Sequence, residues 1–108
     1  MIWITGNSGA GKTTLAQRLR LTPKTIILDG DQMRYVWKDL GYSKEDRTEQ
    51  NWRVARLADV FELQGFDVVV ATICPYRDLR KELSESFDIE WVYLKGGEKP
   101  SKEFPYED

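Results

Sequence analysis

Residues 6–13 read Gly6-Asn7-Ser8-Gly9-Ala10-Gly11-Lys12-Thr13 and fit the pattern G-x-x-x-x-G-K-[ST]. No other stretch limits the fold so tightly. The pattern works only between a strand and a helix, and both flanks are suitable. Met1-Ile2-Trp3-Ile4 ahead of it is apolar and strand-like, and Thr14-Leu15-Ala16-Gln17-Arg18-Leu19-Arg20 behind it is amphipathic. Glycines let the backbone wrap so that its N–H groups point at phosphate oxygens. The helix N-terminus adds the positive end of a dipole. In such a loop Lys12 reaches the β- and γ-phosphates, and the Thr13 hydroxyl binds Mg²⁺.

Along the chain, strand-like runs alternate with helix-like runs. The spacing predicts strands at Met1–Thr5, Thr25–Leu28, Asp67–Ile73 and Ile89–Leu94. Ile26-Ile27-Leu28 and Val68-Val69-Val70-Ala71 are continuously apolar, as parallel strands buried on both faces are. A long helix is predicted from about Asp46 to Gln64, with Val54, Leu57, Ala58, Phe61 and Leu63 as its apolar stripe and Gly65 as its stop. A shorter helix follows Pro75, around Asp78–Glu85, and the Gly- and Pro-containing stretch from Lys95 reads as loop. The alternation predicts an α/β, three-layer P-loop NTPase fold, with a small, mostly parallel sheet of about four strands flanked by helices and joined by right-handed crossovers. At 108 residues, the reading is a single domain spanning 1–108.

Bulk composition narrows the chemistry. Histidine is absent, which excludes Ser-His-Asp and Cys-His catalysis and His-ligated zinc. The single cysteine, Cys74, allows no intrachain disulfide and fits a reducing compartment, so a cytoplasmic location is expected. The formal net charge of −2 argues against a nucleic-acid partner. Mean hydropathy is −0.55 and no apolar run is long enough for a span, so no membrane partner is expected. Chemistry is left to carboxylates, Lys, Arg, hydroxyls and a bound metal.

Ligands of such sheets bind at the carboxyl ends of the strands. Three segments fall there: the P-loop, Asp29-Gly30-Asp31 and Cys74-Pro75-Tyr76-Arg77. Asp29 and Asp31 could hold Mg²⁺ and orient or deprotonate an acceptor hydroxyl, or could be solvated acids of an Asp-Gly turn. Arg34, Arg47, Arg53, Arg77 and Arg80 lie downstream. As a set they favour a phosphorylated or sulfated acceptor, because guanidinium groups clamp such anions bidentately.

Taken in order, the P-loop, Leu28-Asp29-Gly30-Asp31-Gln32-Met33-Arg34, Leu40-Gly41-Tyr42-Ser43-Lys44-Glu45-Asp46-Arg47 and Ile73-Cys74-Pro75-Tyr76-Arg77 resemble the adenylylsulfate (APS) kinase family over about residues 1–80. The resemblance implies transfer of the ATP γ-phosphate to the 3′-hydroxyl of adenylylsulfate with Mg²⁺, so ATP and Mg²⁺ are the expected cofactors and an anionic nucleotide is the expected partner. It implies that Gly6–Thr14 cradle ATP, with Lys12 also catalytic, and that Thr13 and Asp29 hold the metal. Asp29 and Asp31 become the acidic pair at the reacting hydroxyl. Asp31, Arg34, Tyr42, Arg47, Gln50, Asn51, Ile73, Cys74, Arg77 and Phe104 become the acceptor site, Tyr42 stacking on the substrate adenine.

The chain also departs from the family. Gln32 and Gln50 stand where the family has Asn, and Asn51 could replace Gln50 only if its helix were rotated or shifted by one residue. Cys74 replaces a Ser. After Leu94 only Lys95–Glu103 precede Phe104-Pro105-Tyr106-Glu107, where the family has a lid. The expectation is that 95–108 form a compressed remnant of that region, with Phe104 docked over the site or a second subunit of a homodimer lending a segment. Three readings stand open: adenylylsulfate kinase, a related kinase with another nucleotide-linked or phosphorylated acceptor, and a nucleotide-binding module with little catalysis.

Overall fold

The predicted apolar runs pair into one parallel sheet in the computed structural model, which describes residues 1–108. The elements are β1 (Ile2–Thr5), α1 (Lys12–Arg18), β2 (Thr25–Asp29), α2 (Gly30–Val36), α3 (Lys44–Leu63), β3 (Asp67–Ala71), α4 (Arg77–Ser86) and β4 (Glu90–Tyr93). The strand order is β2-β3-β1-β4, with Trp3 opposite Val70 and Trp91, and Leu28 opposite Val70.

Side-chain alternation along the strands builds two apolar layers. Trp3, Leu28, Val68 and Val70 point to one face, where Met33 of α2, Val54, Ala55 and Ala58 of α3, and Leu79 and Leu83 of α4 cover them. Ile4, Val69 and Ala71 point to the other face, against Ala16, Leu15 and Leu19. The result is the expected three-layer α/β fold. No helix is long and apolar enough to cross a membrane.

Besides shifts of one or two residues at element ends, three features differ from the sequence reading. β3 ends at Ala71 rather than Ile73, because its partner β2 ends opposite Ala71 and turns into α2. The helix α2 was not foreseen. Asp29 caps it by accepting from the Asp31 N–H at 3.0 Å, but Met33 is its only buried residue, so it carries no apolar periodicity. Leu63 is 80% exposed instead of joining the α3 stripe. Five residues beyond Ala58 it lies about 140° around the helix from it. The stop at Gly65 is as expected. Its φ is +93°, and the Phe66→Phe61 and Gly65→Glu62 backbone hydrogen bonds form a Schellman turn closed by the Phe61–Phe66 ring contact.

The strand order also places the site. From β1 the chain crosses past β3 to reach β2, and from β3 it crosses past β1 to reach β4. Connections therefore leave these two neighbouring strands in opposite directions, which opens a crevice at their carboxyl ends.

Candidate active site

That crevice is a cleft of about 370 Å³, and only three of its 17 lining residues are hydrophobic. One wall is the P-loop. Gly9 and Gly11 have φ of +80° and +97°, which a side chain would oppose. No side chain caps α1, so its first N–H groups are open to a phosphate. Ser8, Gly9, Gly11, Lys12, Thr13 and Thr14 line the cleft.

Gly6, Asn7 and Ala10 do not line it, and the Ala10 N–H is bonded within the loop, to the Asn7 carbonyl at 3.1 Å. A Cβ on Gly6 would meet the Leu94 carbonyl at 2.6 Å. Asn7 is buried and donates to the Glu98 and Phe104 carbonyls at 3.0 and 3.2 Å. Lys12 Nζ donates to the Gly6 and Asn7 carbonyls, both at 3.0 Å. Burial pulls the Lys12 pKa below the usual lysine range, against the opposing fields of Asp31 and Asp29.

The second wall is the β2–α2 junction. Thr13 Oγ1 donates to Asp29 Oδ2 at 3.0 Å, while Asp29 Oδ1 holds the Asp31 N–H. Asp29 is thus engaged through both oxygens, which leaves Asp31 as the free carboxylate. No cluster of three or more acidic, Cys or His side chains forms a protein-only metal cage. The donor set of a hydroxyl and a carboxylate instead suits Mg²⁺, which takes one or two protein oxygens beside substrate phosphates and water.

The third wall is cationic and aromatic. Tyr42 is 71% exposed and lies under the Arg34 guanidinium at 4.4 Å, with that of Arg47 at 5.5 Å. Arg34 donates to the Gly41 carbonyl, and Arg47 Nε donates to the Tyr42 carbonyl at 2.8 Å. Two arginines are therefore fixed beside one exposed ring, as binding an anionic aromatic ligand requires.

Beneath lie consecutive buried carboxamides. Gln50 donates to the Gly30 carbonyl at 3.2 Å. Asn51 donates to the Arg47 and Ile73 carbonyls at 3.0 and 3.3 Å and accepts from Thr72 Oγ1 at 2.8 Å. Thr72 Oγ1 accepts in turn from the Trp3 indole at 3.0 Å. Both polar atoms of the Asn51 side chain are thus bonded within the protein, although Asn51, like Gln50, lines the cleft. Thr72, which lines the cleft, had no motif to mark it.

Three expected acceptor residues lie outside the cleft wall. Cys74 is fully buried in the larger core layer, and desolvation pushes its thiol up to about 12. The backbone N–H of Arg77 donates to Glu107 Oε1 at 2.8 Å and its side chain donates to the Asp108 carbonyl at 2.6 Å. The Phe104 backbone binds Asn7, but its ring is not part of the wall. Of the remaining arginines, Arg53 pairs with Asp39 on the surface, and buried Arg80 holds the Cys74 and Glu107 carbonyls. Glu107 and Asp108 thus engage Arg77 and Arg80 outside the cleft.

The segment after β4 crosses the P-loop. The Glu98 N–H donates to the Ser8 carbonyl at 2.7 Å, and Gly97, with φ of +72°, passes so near that a Cβ would meet Ser8 O at 2.3 Å. Further on, Arg47 reaches the Glu103 carbonyl at 3.3 Å. The Gly96-Gly97 pair was the one signal in the sequence for this crossing.

The sequence profile of the adenylylsulphate kinase family matches residues 1–95. The adenylyl-sulfate kinase of Pseudomonas aeruginosa is 44% identical over 96 residues, covering 83% of this chain and 49% of that protein. Among solved structures, a mutant of the Mycobacterium tuberculosis APS kinase CysC superposes with a TM-score of 0.79 at 29% identity, covering 94% of this chain and 78% of that one. The same kinase in complex with AMPPNP and APS superposes with a TM-score of 0.70 at 30% identity, covering 87% and 60%. The chain spans about half the length of the curated relatives it matches.

Proposed function

The chain belongs to the adenylylsulphate kinase family, and from that premise we propose that it transfers the γ-phosphate of ATP to the 3′-hydroxyl of adenylylsulfate. The observation that carries this reading is the bridge from Thr13 to Asp29 at 3.0 Å, which joins the phosphate loop to the acidic pair on one cleft. Thr13 and Asp29 are the residues that would hold Mg²⁺. When bound, that ion neutralises charge on the β- and γ-phosphate oxygens.

The protein's own part is positioning and electrostatics. Lys12 turns from the Gly6 and Asn7 carbonyls to the β,γ-oxygens, and the α1 amides take the remaining phosphate charge. Arg34 and Arg47 hold the anionic end of the acceptor, and Tyr42 stacks on its base. Asp31 then receives the proton of the acceptor hydroxyl as its oxygen bonds the γ-phosphorus and the bond to the β-phosphate oxygen breaks.

Incubation with ATP, Mg²⁺ and adenylylsulfate tests this. The acceptor should gain the mass of one phosphoryl group, and ADP should form in equal amount. ADP formed with no change in acceptor mass would reject the proposal. A second reading, a kinase for another anionic, hydroxyl-bearing nucleotide, draws on the short segment strapped over the P-loop by Glu98 and Gly97. A panel of acceptors in the same assay separates the two.

A further inference from the structure

We propose that Gln50 is a specificity-determining residue, whose side-chain carbonyl accepts a hydrogen bond from the hydroxyl next to the one that is phosphorylated. This rests on the kinase reading above. Gln50 is 4% exposed and lines the cleft. Its Nε2 donates to the Gly30 carbonyl at 3.2 Å. Its Oε1 is the buried side-chain polar atom that has no partner in the structure. A buried acceptor without a donor is costly, so its partner is to be sought in what enters the cleft.

The direction of the carboxamide is set on both sides. Turning it over would set Oε1 against the Gly30 carbonyl, acceptor against acceptor. Rotating α3 is prevented by the neighbour. Asn51 is anchored to Ile73 and Thr72, and through Thr72 to Trp3 on β1. Anchoring Asn51 to Ile73 and Thr72 on the cleft floor fixes the rotation of α3, and with it the place of Gln50 beside it on the cleft. The cleft is therefore offered an acceptor at this point, and the matching ligand group is an O–H or N–H. Phosphate and sulfate oxygens are excluded there and fall to Arg34 and Arg47.

Position selects the hydroxyl. Gly30, to which Gln50 is tied, lies between Asp29 and Asp31. The reacting hydroxyl gives its proton to a carboxylate there, so a neutral acceptor held on the same segment serves the adjacent hydroxyl. In adenylylsulfate that group is the 2′-hydroxyl beside the 3′-hydroxyl. The carbonyl of Gln50 thus distinguishes a vicinal diol from a deoxy sugar.

The test compares adenylylsulfate with its 2′-deoxy analogue in wild-type and Gln50→Met protein, with a melting curve for each. In the wild type, losing one buried hydrogen bond should lower kcat/KM about tenfold for the deoxy analogue. Gln50→Met keeps the side-chain length and loses the carbonyl, so its kcat/KM should be the same for both acceptors. A wild type indifferent to the 2′-hydroxyl means that Oε1 faces only water, and overturns the proposal. A Gln50→Met protein as selective as the wild type overturns it equally. The deoxy acceptor probes the unmutated chain, so the wild-type ratio decides even if the variant fails to fold. A wild type that phosphorylates no adenylylsulfate at all overturns the proposed function, and this assignment with it.

Discussion

Thr13 Oγ1 donates to Asp29 Oδ2 at 3.0 Å, across 16 residues of sequence. The contact locks the start of α1 to the start of α2, because Asp29 also caps α2 through its other oxygen. One carboxylate therefore sets the distance between the phosphate loop and the segment that carries Asp31.

Substitution should separate the two acids. Asp29→Asn keeps a side chain that caps a helix, and Asp31 makes no side-chain bond that folding needs. Both Asn variants should melt within a few degrees of wild type, while turnover falls about a hundredfold or more, the scale of acid–base catalysis. Asp29→Ala should cost an additional ~1 kcal/mol of stability through the lost cap. Kinetics and melting curves on the three variants check this, and full turnover in both Asn variants would make the pair structural.

Lys12→Ala should weaken ATP binding at least tenfold by calorimetry, since a charge-assisted contact to polyphosphate contributes about 1.5–3 kcal/mol. Lys12 also predicts a pH limb. Burial lowers its pKa, and Asp31 and then Asp29 raise it in part. The protonated form binds phosphate, so kcat/KM for ATP should fall on the alkaline side, below the ordinary lysine range. Asp31→Asn removes a field that favours the ammonium and should shift the limb to still lower pH.

The strap over the P-loop depends on Gly97. In Gly97→Ala the new Cβ would lie 2.3 Å from Ser8 O, at φ of +72°. The left-handed conformation alone disfavours alanine by about 1–2 kcal/mol. Melting temperature should drop by several degrees and ATP affinity should fall with it. Phe104→Ala, whose ring is outside the cleft wall, should leave acceptor KM unchanged. A raised acceptor KM in Phe104→Ala would restore the stacking role that the sequence suggested.

Cys74 should be inert in the native protein, with a thiol reagent reacting only after denaturation. Its folded pKa is raised from 9.0 to about 12. Its contribution to stability is therefore intact below pH 9 and is lost as pH rises from 9 toward 12, where the unfolded chain alone ionises. Cys74→Ala should reduce that alkaline loss in denaturation curves, and an unchanged pH dependence would assign the loss to other groups.

Much of the fold was legible because it rests on local rules. Glycine spacing marked the turn around Gly9 and Gly11, apolar runs marked four strands, and Gly65 marked the end of α3. The helix α2 escaped because it is a capped helix of about two turns with a single buried residue, too short to show a period. In the site, Lys12, Thr13, Asp29, Asp31, Arg34, Tyr42 and Arg47 stand on one cleft as expected. Cys74, Arg77 and Phe104 do not, because the core claims the thiol, Asp108 claims the arginine and Asn7 holds the Phe104 backbone.

The sequence by itself determined the phosphate loop, the alternation of layers and the acids at the end of β2. Each depends on backbone conformation and side-chain period over a few neighbouring residues. Only the tertiary structure decided that Asn51 is tied to Thr72 and Ile73 while Gln50 keeps an unpartnered carbonyl at the cleft, and that Gly97 lies against Ser8. Those choices depend on hydrogen bonds between Trp3 and Thr72, Asn51 and Ile73, and Asn7 and Glu98, 69, 22 and 91 residues apart. Partners so distant meet only when the sheet has closed, so no local pattern records them.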